Sequence, residues 1–181
     1  MPLVMSMRWT VASWIAGLTL LFPTMCAAQI YGGVAFGGGG ASAPFGSNLG
    51  GIRGTLRLFG GYEFNRYLAA EAMTLDLGTI GNQSSATSST IGAFGVAAVV
   101  TLPVQRWRVR GRFGVLSMDG RLSDSSFSRT GQPMAGVTIG FNVVRGLTVG
   151  LETAVSRAEF PAPVVGTSRV NWTAAVASYR F

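Results

Sequence analysis

The chain has no lysine and no histidine, and its one cysteine, Cys26, lies near the N-terminus of 181 residues. Without imidazole or amine side chains, and with no thiol beyond Cys26, the ordinary general bases and nucleophiles are missing and zinc loses its usual ligands. A single cysteine also rules out an internal disulfide framework. Charge is scarce, at 12% of residues, about half the share of a soluble domain. Beyond residue 28 no apolar run reaches the ~18 residues that a membrane-crossing helix requires. What is abundant is apolar surface, at 48% of residues, together with 26 glycines. That composition excludes disorder and leaves a folded chain with a different way of arranging its apolar groups.

All 14 basic residues are arginines, and with seven acids they give a formal net charge of +7. The arginines are scattered, form no basic run, and follow no helix-turn-helix or zinc-finger spacing, so no nucleic-acid partner is expected. The segment Gly37-Gly38-Gly39-Gly40 has neither the Gly-Lys-Ser ending nor the following helix that a phosphate-cradling loop needs, and it reads as a flexible loop.

Met1 to Ala28 reads as a secretory signal peptide. Arg8 supplies the positive charge, Trp9 to Phe22 the apolar stretch, and Cys26-Ala27-Ala28 the small-residue end, so cleavage between Ala28 and Gln29 is expected. The residues before Cys26, Pro23-Thr24-Met25, do not form a lipoprotein signal. One domain then occupies 29–181, a length suited to a single barrel or sandwich.

In that domain the apolar residues alternate. Leu56, Leu58, Tyr62 and Phe64 share one face of Thr55 to Phe64, with Arg57 and Glu63 on the other. Trp107, Val109, Phe113 and Val115 alternate with Arg108, Arg110, Arg112 and Gly114. Val137 to Val143 and Leu147 to Val155 repeat the pattern, the latter opposite Glu152. Ile30 to Phe36, Leu68 to Leu77, Ile91 to Leu102 and Ser168 to Phe181 complete a set of eight strands. Short links at Asn65-Arg66, Pro103 to Arg106 and Val144 to Gly146 alternate with longer ones over 38–51, 79–90, 119–132 and 158–167. Tight turns at one rim and long loops at the other are what an even-stranded outer-membrane barrel predicts. Strands in lipid must close so that every backbone amide is paired. The fold class is therefore all-β, an eight-stranded antiparallel up-and-down transmembrane barrel. Its narrow lumen holds Arg57, Glu63, Glu71, Arg108, Arg110, Arg112 and Glu152, diluted by Gly61, Gly114, Gly140 and Gly150, with opposite charges paired inside it. Tyr62, Phe64, Trp107, Phe141, Tyr179 and Phe181 are expected as an aromatic girdle at the periplasmic rim.

Gly60-Gly61-Tyr62-Glu63-Phe64-Asn65-Arg66-Tyr67-Leu68-Ala69-Ala70-Glu71 resembles the second hairpin of OmpA-like outer-membrane barrel domains. Arg112-Phe113-Gly114 and the closing Ser178-Tyr179-Arg180-Phe181 extend the resemblance over nearly all of the barrel. The closing residues Tyr179 and Phe181 look like the terminal aromatic signal by which such barrels are recognised for assembly. The resemblance implies insertion with the help of periplasmic chaperones and the outer-membrane assembly machinery. It also implies roles in envelope integrity, adhesion or host interaction. Glu71 and Arg112 match inward members of the family's ionic core, whereas its charges on strands six and seven fall on Gly140 and Gly150. With residues running out at the eighth strand, no peptidoglycan-binding domain is expected. Enzymes among small outer-membrane barrels resemble one another in using a catalytic histidine, which this chain lacks.

The function expected is a non-enzymatic, cofactor-free, monomeric barrel with a filled lumen. Its partners are outer-membrane lipids and lipopolysaccharide, whose phosphates arginine binds bidentately, and a host or cell-surface ligand at the loops. The acids Asp76, Asp119, Asp124 and Glu159, on or beside those loops, are read as solvated. A small porin-like channel requires lumen charges too sparse to fill the tube. A secreted soluble barrel binding an apolar ligand requires the opposite pattern, apolar inward and polar outward.

Overall fold

The computed structural model describes residues 29–42, 48–80, 89–122, 125–160 and 166–181. The export segment, Cys26, Ala28 and Asp124 lie outside them. Eight strands follow in chain order: β1 (Gln29–Ser42), β2 (Asn48–Glu63), β3 (Leu68–Ile80), β4 (Ser89–Val104), β5 (Trp107–Leu122), β6 (Ser125–Val144), β7 (Leu147–Phe160) and β8 (Gly166–Arg180). Each pairs antiparallel with its neighbours, and β1 pairs with β8 from Tyr31↔Arg180 to Ser42↔Arg169, closing the barrel.

Three tight turns and both ends of the described domain lie at one rim. Between β2 and β3, Asn65 Oδ1 accepts the amides of Tyr67 and Leu68 at 2.8 and 2.9 Å, the local bonding that makes asparagine a turn residue. The other two turns contain Gln105 and Gly146 in the left-handed region.

At the opposite rim the strands run well past the alternating segments. The residues expected as loops at 38–42, 48–51, 119–122 and 125–132 are strand, so the glycine tetrad at 37–40 is ladder, not loop. Pairing there is interrupted by register shifts at Gly37/Gly39, Asp76/Thr79 and Leu116/Met118, with Gly54 and Gly131 at positive φ. Bulges of this kind gather at barrel rims. Pairing continues through them while the period of two does not, which is why the sequence reads as loop. Asp119 and Glu159 consequently lie within β5 and β7, and Asp76 lies within β3.

The outer face is apolar over Leu56 to Phe64 on β2, Phe94 to Val104 on β4 and Trp107 to Val115 on β5. These spans match the roughly 9–11 residues of a tilted membrane strand. At ~3.3 Å per residue and a tilt near ~40°, they give a band about 25 Å tall. Phe113 and Leu151 are 63% and 65% exposed there, a pattern opposite to that of a soluble ligand-binding barrel. The rings of Tyr62/Phe64, Trp107/Phe141 and Tyr179/Phe181 pair edge-to-face, with centroids 5.1–5.2 Å apart, at the rim of the tight turns.

Candidate functional site

Inside the barrel, alternation brings one arginine from β2 and one from β5 level with one glutamate from β3 and one from β7. Arg57 Nη1 donates to Glu71 Oε1 at 2.7 Å, while its Nε and Nη2 hold both oxygens of Glu152 at 2.9 and 2.5 Å. Arg112 Nη1 donates to Glu152 Oε2 at 2.9 Å and to Thr138 Oγ1 at 2.8 Å. Its Nε lies 2.9 Å from Glu71 Oε1, within ion-pair reach but too bent for a hydrogen bond. All four side chains are almost wholly buried, and two positive charges meet two negative ones. Buried charges are tolerated on these terms, because each must recover by pairing what it loses in hydration.

Two aromatic groups add donors to this quartet, in which Arg112 Nη2 has no hydrogen-bond acceptor among the described residues. Tyr31 Oη donates to Glu71 at 3.0 Å and Trp172 Nε1 donates to Glu152 at 3.4 Å. Phe59 lies beneath the guanidinium of Arg57, 4.1 Å from its centroid. A Cβ on Gly61 would lie 2.4 Å from the Tyr31 ring, and one on Gly33 would lie 2.5 Å from the ring of Phe59. Glycine at these two positions is what lets the rings lie flat against the wall.

Toward the tight-turn rim, Glu63 is shared by Arg110 at 3.4 Å, Arg108 at 3.5 Å and Arg180 at 3.5 Å. This second cluster is looser and has excess positive charge. Toward the other rim the lumen becomes mainly apolar, holding Met73, Leu75, Leu77, Leu116, Met118, Met134, Val170 and Trp172 with the buried polar side chains Thr55, Gln132 and Ser156 among them. The interior is thus stacked in three layers: basic at the tight-turn mouth, neutral and ionic in the middle, and apolar above.

The structure places Arg57, Glu71, Arg112 and Glu152 in one cluster and Glu63, Arg108 and Arg110 in another. Tyr179 and Phe181 stand outside, at the end of β8. Sequence reasoning missed Tyr31, Trp172 and the apolar layer. Trp172 alternates with Ala174, Val176 and Ser178, a signal of period two that small residues obscure. Among the described residues no cluster of side chains could hold a metal ion.

One more feature lies on the outside. Arg157 on β7 and Arg169 on β8 are cross-strand partners, both exposed, just beyond the apolar band. They line an external groove of about 830 Å³ with Phe113, Pro133, Met134 and Val155. Here β6 and β7 part: among the described residues their ladder ends at Met134↔Ser156. Pro133 has no amide to donate, and its carbonyl accepts from Ser156 Oγ at 3.0 Å.

The family model described as outer membrane protein beta-barrel domain matches residues 15–175. A search of the curated proteins finds no match. Among solved structures, the neisserial surface protein A is similar, with a TM-score of 0.61 at 15% identity, covering 84% of this chain and 97% of that one. The attachment invasion locus protein Ail of Yersinia pestis, crystallised with the heparin analogue sucrose octasulfate, has a TM-score of 0.59 at 15% identity, covering 85% and 99%. The N-terminal barrel of Pseudomonas aeruginosa OprF has a TM-score of 0.52 at 9% identity, covering 86% and 100%. At these identities the likeness is one of fold.

Proposed function

The chain belongs to the outer membrane protein β-barrel family and sits among the lipids of a Gram-negative outer membrane, and from that premise we propose that it is a non-enzymatic barrel that holds lipopolysaccharide at its outer flank and offers its surface loops to ligands outside the cell. The observation that carries this reading is the exposed pair Arg157 and Arg169. Like charges placed directly opposite on adjacent strands repel. An anion between them turns that repulsion into a pair of charge-assisted bonds. Their groove is apolar below and cationic above, which suits an amphiphile whose phosphates stand over acyl chains.

The non-enzymatic reading rests on the missing histidine and lysine. The filled lumen argues against a channel, because an ion would have to cross a charged quartet and then an apolar layer. Engagement of the assembly machinery and its periplasmic chaperones is read from Tyr179 and Phe181, and export from residues 1–28 with a cut between Ala28 and Gln29. The sulfated sugar in the Ail crystal supports a polyanionic class of surface ligand for the loops.

The test is lipopolysaccharide retention by the purified barrel. The double change Arg157→Gln and Arg169→Gln is expected to lower bound lipopolysaccharide about tenfold while the folded band on unboiled gels is unchanged. Equal retention by the variant refutes the role of the pair. Reproducible single-channel steps in planar bilayers would replace the filled barrel with a pore.

A further inference from the structure

The lumen's other mouth carries a feature that lipopolysaccharide binding does not use. Next to the tight turns lies a cavity of about 310 Å³, lined by Arg106, Arg108, Arg110, Arg145 and Arg180. No acid lines it among the described residues. Among the described residues the one carboxylate within ion-pair distance of any of these five is Glu63, which three of them share at 3.4–3.5 Å. Arg106 and Arg145 have no ion-pair partner among the described residues.

Arg110 is the most informative of the five. It is 5% exposed, yet its Nε has no hydrogen-bond acceptor. Its compensation is a long contact to Glu63 and the face of the Tyr31 ring at 5.0 Å. A buried charged donor without an acceptor is costly, and an anion entering beside it would offset that cost. The same lining presents Asn142, Thr148 and Ser178 as additional polar groups. Tyr31 lines the cavity and its hydroxyl bonds Glu71 of the quartet, so the cavity ends against the filled part of the lumen.

We propose that this mouth is a binding site for a small multivalent phosphate-bearing anion reaching the barrel from the periplasmic side. Guanidinium forks match the paired oxygens of phosphate, and five of them against one carboxylate favour more than one negative charge. The volume is at the small end of ligand pockets, which run from ~300 Å³, and it admits a diphosphate or the head of a phospholipid but not the body of a polymer.

The experiment is calorimetric titration of inorganic pyrophosphate into the folded barrel, first in an uncharged detergent and then in phosphatidylcholine nanodiscs. Saturable one-site binding that weakens steeply with added salt is expected. Arg108→Gln with Arg110→Gln is expected to weaken it at least tenfold. Arg106 and Arg145 stand exposed in turns, so Arg106→Gln with Arg145→Gln keeps the ladder intact if the buried variant does not fold, and a loss of about threefold is expected. Arg157→Gln with Arg169→Gln, at the opposite end, is expected to have no effect, so the two sites are judged separately. Replacing part of the phosphatidylcholine with phosphatidylglycerol distinguishes the source: competition with pyrophosphate assigns a lipid headgroup, and its absence assigns a free anion. Either upholds the site. The absence of saturable binding, or an equal loss on changing Arg157 and Arg169, overturns the proposal.

Discussion

Replacing Glu152 by Gln should be among the most damaging single polar changes in this barrel. Glu152 receives bonds from Arg57 at 2.9 and 2.5 Å, from Arg112 at 2.9 Å and from Trp172 at 3.4 Å. The amide keeps the volume but removes the charge, leaving two buried guanidinium groups with Glu71 alone. Removing one member of a buried ion pair costs about 3–5 kcal/mol, because the partner stays desolvated without compensation. Arg112→Met should cost a similar amount, since two carboxylates would then share Arg57. The double variant restores neutrality, with one arginine and one glutamate still paired at 2.7 Å. Its cost should fall to about 0–3 kcal/mol, since neutral replacement of both members of a buried pair leaves no charge uncompensated.

The coupling between the two changes is therefore at least about 3 kcal/mol, well beyond the few tenths seen for independent sites. Urea unfolding in lipid vesicles measures it, with tryptophan emission as the probe because Trp172 touches the quartet. Additive costs, or a double variant weaker than either single one, would show that the four charges do not act as a neutral unit.

Two further expectations concern the wall. Gly114→Ala places a Cβ 2.2 Å from the Val96 carbonyl and 2.8 Å from Ala97 Cα, both backbone atoms. The β4–β5 ladder must part, at about 3 kcal/mol in the same urea assay, whereas Gly92→Ala, with nothing within 4 Å, should leave the midpoint unchanged. Leu151→Arg puts a charge on the apolar band and should cost about 2–4 kcal/mol, while Asp119→Arg beyond the band should cost about 0–1 kcal/mol. Equal costs for the two would contradict the assigned height of the band.

The fold was legible in β2, β5, β6 and β7 because hydrocarbon enforces apolar residues on one face and so writes a period of two. It was fainter in β1, where Gly33 and Gly37 alternate with the inward Tyr31 and Ala35, and was lost above the lipid, where bulges shift the phase. From alternation, Arg57 and Glu152 can be placed on inner faces. Their bond joins residues 95 apart in sequence across the lumen, and its formation depends on tilt and register that no local pattern encodes. The division of the charges into a tight neutral quartet and a loose basic mouth was illegible for the same reason. The apolar layer was missed because its members, such as Met73 and Met118, alternate with residues of mixed character at the end of the strands.

The early separation of β6 from β7 bears on how deeply the protein can sink. Above Met134 and Ser156 the facing edges carry backbone groups that, among the described residues, have no partner across that gap, and hydrocarbon cannot tolerate them. On that flank the greasy interior of the bilayer can rise no higher than Pro133. The last rung shared by these two strands acts as a waterline.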